Sequence, residues 1–151
     1  MAKQKIKKAE AVLKVNQKKA KNEFKKYLIT PEQEFVEANS FLAVVENKEI
    51  PSLKSLNVSD ESYILGLLDC IGELKRLVLD NIRNGQLKEA DRIFNVMENL
   101  YQALYPFAMY DKIVKETRRK LDVNRILVEE TRSVITEEIR RNHFVKALAE
   151  K

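Results

Sequence analysis

Four carboxylates stand in segments that otherwise read as amphipathic helices: Glu34 and Glu37 in one, Asp69 and Glu73 in another. At about 100° per residue, Glu34 falls inside the apolar arc of its helix with Ala38, Phe41 and Val45, and Glu37 falls beside Phe41 and Val44. On this reading Glu32, Asn39, Ser40 and Glu46 face solvent. The other segment is apolar around most of its circumference through Ile64, Leu67, Leu68, Ile71, Leu74, Val78 and Leu79, with Leu65 and Leu77 at the edges. Its narrow polar stripe is Asp69, Glu73, Arg76, Asp80 and Arg83. Asp69 and Glu73 are one turn apart and project from one face, and Gly66 on that side admits a close neighbour, either a backbone or a substrate.

A carboxylate on a packing face is costly when unpaired, so it is exposed, paired or metal-bound. Two acidic pairs on facing helices are one way of building an oxygen cage for a cation inside a bundle. Glu73–Arg76, Arg76–Asp80 and Asp80–Arg83 are equally well spaced for intrahelical ion pairs. The residues alone therefore leave a metal site and a charged face both open.

Composition narrows the metal. The chain has one histidine, His143, and one cysteine, Cys70, so a zinc site of nitrogen and sulfur ligands is excluded and no internal disulfide forms. Oxygen ligands favour magnesium, with manganese as the second ion this chemistry admits. Cys70 reads as a small buried residue and His143 as a surface residue near a fraying terminus. Unpaired cysteine usage fits a reducing cytoplasm, the expected location. No apolar run is long enough to span a bilayer, and the start lacks the apolar core of a secretory signal. The net charge of +5 allows a polyanionic partner without requiring one.

Three glycines and three prolines in 151 residues leave little punctuation, so long helices follow. The expectation is an all-α fold, an antiparallel bundle of about five long helices in a single domain over 1–151. A lysine-rich first helix runs from about Lys3 to Leu28 on a stripe of Ile6, Ala9, Leu13, Ala20, Phe24 and Leu28. Thr30, Pro31 and Gln33 form an N-cap, N1 proline and capping box for a second helix reaching about Asn47. Residues 48–59 are a connector. A third helix, capped by Ser59 or Asp60, runs to Arg83 and stops at Asn84-Gly85. A fourth spans about Leu87 to Tyr105, and a fifth runs from near Asp111 to about Asn142. A short charged tail, 143–151, follows.

The stretch Tyr63-Ile-Leu-Gly-Leu-Leu-Asp-Cys-Ile-Gly-Glu-Leu-Lys-Arg76, with Asn81-Ile-Arg-Asn-Gly85 behind it, resembles the translin family. It is most similar to the translin-associated factor X branch, in a homologue of prokaryotic or archaeal type. Glu34-Phe-Val-Glu-Ala-Asn-Ser-Phe41 resembles a second element of that branch. Phe94, Leu100-Tyr101, Arg119-Lys120, Asp122 and Val128-Glu129 fit the later helices, so the resemblance covers 30–142. It implies a magnesium-dependent endoribonuclease subunit acting in RNA processing, with Glu34, Glu37, Asp69 and Glu73 as catalytic residues and metal ligands. Whether Glu37 is a ligand or a general base stays open. The resemblance also implies single-stranded or short duplex RNA as partner and a homo-oligomer of octameric size. The chain departs from typical members in a shorter first helix and connector.

Arg76, Arg118, Arg119, Lys120, Lys18, Lys19, Lys25 and Lys26 are the candidates for contacts with RNA backbone, which are salt-sensitive and indifferent to base identity. For the first helix a plain solvated lysine face explains the charge as well. Tyr101, Tyr105, Phe107 and Tyr110 are spaced for packing in the core or between subunits. Two alternatives stand beside the nuclease. One is a non-catalytic, translin-like RNA-binding scaffold. The other is an all-α nucleotide pyrophosphohydrolase, which accounts for the acids but not for the Gly72-Glu73-Leu74 segment or the Asn81–Gly85 turn.

Overall fold

The computed structural model describes residues 2–19 and 27–149. Its regular structure is helical throughout: α1 (Ala2–Lys19), α2 (Ile29–Val45), α3 (Leu53–Leu56), α4 (Asp60–Arg83), α5 (Leu87–Leu104) and α6 (Thr117–Ala149), with a 3-10 segment at Tyr105–Tyr110. No strand occurs among the described residues, as the scarcity of glycine and proline leads one to expect. Contacts divide the chain into two compact units, Met1–Cys70 and Ile71–Lys151, and the division falls within α4.

In the first unit α1 and α2 run antiparallel. Lys3 Nζ pairs with Glu46 at 2.6 Å near one end, and Gln17 donates to Glu32 Oε1 at 2.8 Å near the other. Leu13 is the one buried residue of α1, whereas Ile6 is half-buried and Ala9 exposed. Ala20 and Phe24 of the expected stripe lie outside the described residues.

Helix α2 starts earlier than its cap signals suggest. The Glu32 N–H reaches the Leu28 carbonyl at 2.9 Å, Leu28 is the N-cap, and no side chain caps the helix. Thr30 therefore lies inside the first turn, and Gln33 is released from the expected capping box. The buried face is also rotated from the expected one. It comprises Glu32, Phe35, Val36, Ser40, Ala43 and Val44, while Glu34 and Val45 are exposed and Glu37 is half-buried. The physical reason is that α2 carries apolar side chains nearly all the way round, so periodicity does not select a packing side.

The connector holds one turn of helix, α3. Ser52 Oγ accepts the Ser55 N–H at 3.3 Å, and Asn57 ends the turn in the left-handed region with φ 53°. Helix α4 has the expected bounds. Its C-terminus is a Schellman turn: the Gly85 N–H bonds Ile82 O at 2.9 Å, and the Gln86 N–H bonds Asn81 O at 2.8 Å. Gly85 takes φ +72° without the Cβ penalty other residues would incur.

The second unit pairs α5 with α6. Helix α6 buries Thr117, Leu121, Asn124, Val128, Thr131 and Ile135, a stripe spaced alternately four and three residues apart, as on a coiled-coil seam. Helix α5 buries Ala90, Ile93, Phe94, Met97, Leu100 and Leu104. An Arg132–Glu98 ion pair joins the two helices, and Lys75 of α4 pairs with Glu130 of α6.

The last helix begins later than expected. Pro106 lies in the first turn of the 3-10 segment, turns occupy the residues after Tyr110, and Asp111 Oδ1 accepts the Arg118 N–H at 2.9 Å, capping α6 at a distance along the chain. The helix then continues to Ala149, so 143–149 is helical rather than a loose tail. No helix among the described residues is long and apolar enough to cross a membrane.

Candidate functional site

The two acid-bearing helices of the first unit meet at Gly66. A Cβ placed on Gly66 would lie 2.6 Å from the Gln33 carbonyl oxygen and 2.7 Å from Val36 Cβ, closer than atoms can pack, so α2 approaches the α4 backbone directly. The close approach anticipated for Gly66 is made by a neighbouring backbone. One turn along α4, Asp69 is half-buried among the buried residues Leu67, Leu68 and Cys70. The Gln33 amide donates to Asp69 Oδ2 across the helix pair. An ionised carboxylate only accepts hydrogen bonds, so the NH2 end of Gln33 must face it.

Glu37 lies one turn beyond Gln33 on the same face of α2 and is half-buried. Glu34, next to Gln33, is exposed, so the argument from burial does not hold for it. Glu73, one turn beyond Asp69 and in the second unit, is half-buried and accepts from Arg76 at 2.9 Å. Arg83 pairs with Asp80 at 2.9 Å, so two of the three expected intrahelical ion pairs form. The four acids offer only oxygen ligands, which fits the chemistry of a hard divalent cation. Among the described residues, however, no three His, Cys, Asp or Glu side chains are gathered closely enough to hold one.

Gln33 is the site residue that sequence reasoning missed. Its spacing from Thr30 suggested a cap, and nothing in the linear sequence signals a partner 36 residues away.

Glu32, expected on the solvent side, is instead 5% exposed. Its carboxylate accepts from the Ser59 backbone N–H at 3.0 Å and the Ser59 hydroxyl at 2.9 Å, besides Gln17. Burial pushes its pKa up, but hydrogen bonds from Gln17, Ser59 and Ser62 outweigh that and hold it below the usual value. Ser40, also expected outside, is buried with no partner for its hydroxyl among the described residues.

Of the candidate RNA contacts, Lys18, Lys19 and Arg118 are exposed, and Lys120 is half-buried. Arg76 and Arg119 are exposed but paired, Arg119 with Glu116 at 2.7 Å. Lys25 and Lys26 lie outside the described residues. Cys70 is fully buried and His143 exposed, as expected. The aromatic group packs in two tilted pairs, Tyr101–Tyr105 and Phe107–Tyr110, with ring centroids 6.0 and 6.3 Å apart. Tyr105 and Tyr110 are nevertheless exposed in the single chain rather than buried in its core.

An all-helical chain with acids on adjoining helices α2 and α4 defines a class, and comparison with known proteins gives it a family. The sequence matches the translin family over residues 1–135, and the chain belongs to that family. An uncharacterised protein of Methanocaldococcus jannaschii is 44% identical over 124 residues, which cover 82% of this chain and 55% of that protein. The chain thus spans little more than half the length of that relative. Two solved structures share its fold. One is AfC3PO in complex with duplex RNA, with TM-score 0.79 and 29% identity over 92% of this chain and 74% of that one. The other is the crystal structure of AfC3PO, with TM-score 0.78 and 31% identity over the same shares. The fold is therefore the all-α translin-like one.

Proposed function

We propose that this chain is a magnesium-dependent endoribonuclease subunit that hydrolyses RNA phosphodiester bonds at Glu34, Glu37, Asp69 and Glu73. The observation that carries the reading is the junction of α2 and α4, where Gly66 lets the backbones touch and Gln33 bonds Asp69. This junction brings the helix bearing Glu34 and Glu37 against the helix bearing Asp69. Membership of the translin family and the likeness to AfC3PO bound to duplex RNA support RNA as the substrate class.

The chemistry a bound magnesium ion supplies is a water of lowered pKa and neutralisation of charge on the phosphoryl oxygens. Asp69 and Glu73 of α4 and Glu34 and Glu37 of α2 would hold the ion through their carboxylate oxygens, with Glu37 either a ligand or the group that accepts a proton. The exposed Lys18 and Lys19 contact the RNA backbone as point charges, and the exposed Arg118 through its planar guanidinium. Exposed apolar residues on α6, including Val123, Ile126 and Val134, support self-association; the same reading has the chain as a homo-oligomer of octameric size acting in the cytoplasm.

The test is cleavage of single-stranded and short duplex RNA by the purified chain with magnesium, and with the ion chelated. Activity that requires the ion and vanishes in Asp69→Ala, with helical content unchanged, is the expected result. Equal activity in Asp69→Ala removes the site.

A second reading, a non-catalytic RNA-binding scaffold, is favoured by one observation: the acids are not gathered into a cage, Asp69 accepts from Gln33, and Glu73 from Arg76. RNA binding without ion-dependent cleavage, in the wild-type chain, would establish it.

A further inference from the structure

We propose that the groove between α1 and α2 docks an acidic amphipathic helix of a partner protein. The groove has a volume of about 420 Å3 and lies wholly within the first unit. Ala9, Val12 and Leu13 of α1 form one wall. Leu28, Pro31 and Phe35, three and four residues apart along α2 and its N-cap, form the other. Lys8 and Asn16 are its only polar lining among the described residues. Val12 is 62% exposed and Ala9 is exposed, so the α1 wall has no cover in the single chain. Two adjoining apolar rows at helical spacing make a trough that receives the apolar face of a third helix.

Charge selects the occupant. Lys3 pairs with Glu46, and Lys14 pairs with Glu10, the one acid of α1. Lys5, Lys7, Lys8, Lys18 and Lys19 have no carboxylate partner among the described residues. Lys8 stands at the groove itself, one turn before Val12, and Lys5 stands one turn before Ala9. A helix that sets apolar residues between the walls and carboxylates against these lysines is complementary to both features. A second copy docking through its own α1 brings the same lysines and is repelled. RNA can meet the lysines with its phosphates, but its backbone needs donors and its bases need ring faces. The walls are aliphatic apart from Phe35, which is buried.

The probe is a fluorescein-labelled peptide about five turns of helix long, built from Glu, Ala and Leu with its leucines on one face. A scrambled form of equal charge, with the leucines spread around the helix, is the control. Fluorescence anisotropy measures binding of both peptides, and of a single-stranded RNA, to the full chain. The proteins are wild type, Val12→Ser and the double variant Lys5→Glu/Lys8→Glu, all changed at exposed positions, with helical content and sedimentation mass recorded for each. The amphipathic peptide should bind wild type and the scrambled one should not. Val12→Ser should weaken the peptide about tenfold, the scale of one apolar side chain lost from a contact, with RNA binding and mass unchanged. The double lysine variant should also weaken the peptide and reduce the salt dependence of its binding.

Absence of peptide binding, equal binding of the scrambled peptide, or unchanged peptide binding in Val12→Ser overturns the proposal. Weaker RNA binding in Val12→Ser assigns the groove to RNA, and a lower mass assigns it to a second copy; either result overturns it as well.

Discussion

The carboxylate of Glu32 accepts both the backbone N–H and the hydroxyl of Ser59, at 3.0 and 2.9 Å, and thereby joins α2 to the residue that opens α4. Gln17 brings α1 to the same carboxylate, so one buried charge ties three helices at the end of the first unit.

This arrangement makes stability depend on acid. The folded pKa of Glu32 lies below its ordinary value of 4.5, so its contribution is complete above that value and is lost as pH falls through the folded pKa. Melting temperature should drop on acidification below about pH 4.5, and Glu32→Gln should flatten that part of the curve. At neutral pH the same substitution should cost about 1.5–3 kcal/mol, the usual worth of hydrogen bonds to a charged group. Thermal melts of both proteins between pH 7 and 3 check both expectations.

Glycines on one helix should respond with opposite signs. Gly66→Ala must drive α2 away from α4, since its Cβ would meet Gln33 O at 2.6 Å; a loss of about 1–3 kcal/mol is expected. Gly72, inside the same helix, has nothing within 4 Å of an added Cβ. Gly72→Ala should therefore stabilise by about 0.5–1 kcal/mol through helix propensity. Urea unfolding of both variants decides, and equal effects would contradict the close approach at Gly66.

If Arg118 contacts RNA phosphate, Arg118→Ala should weaken binding alike for all sequences. It should also reduce the slope of log affinity against log salt by about 0.7 for single strands. Fluorescence anisotropy at several salt concentrations gives the slope, and an unchanged slope would remove Arg118 from the interface.

The exposed apolar residues of α6 predict self-association. Sedimentation should give a mass several times that of one chain, and Ile126→Glu, at a half-exposed position, should lower it while helical content is retained. A monomeric wild type would count against the oligomer.

Local chemistry in the sequence was enough to determine much of the fold. Few glycines and prolines dictated helices. Ser59, whose hydroxyl accepts the Ser62 N–H at 3.2 Å, and the Asn84-Gly85 pair bounded α4, because capping and left-handed turns are decided within a few residues. Tertiary structure decided what lies on each face. Helix α2 is apolar on nearly every side, so only its packing against α1 and α4 could bury Glu32 and Ser40 and leave Glu34 in solvent. The same packing diverted Gln33 from a cap to Asp69. In α6 the capping Asp111 stands seven residues before the amide it serves, which no local rule anticipates. The acids of the candidate site were legible as residue types at helical spacing. Which side chain holds Asp69 is a relation between two helices, and only their contact could establish it.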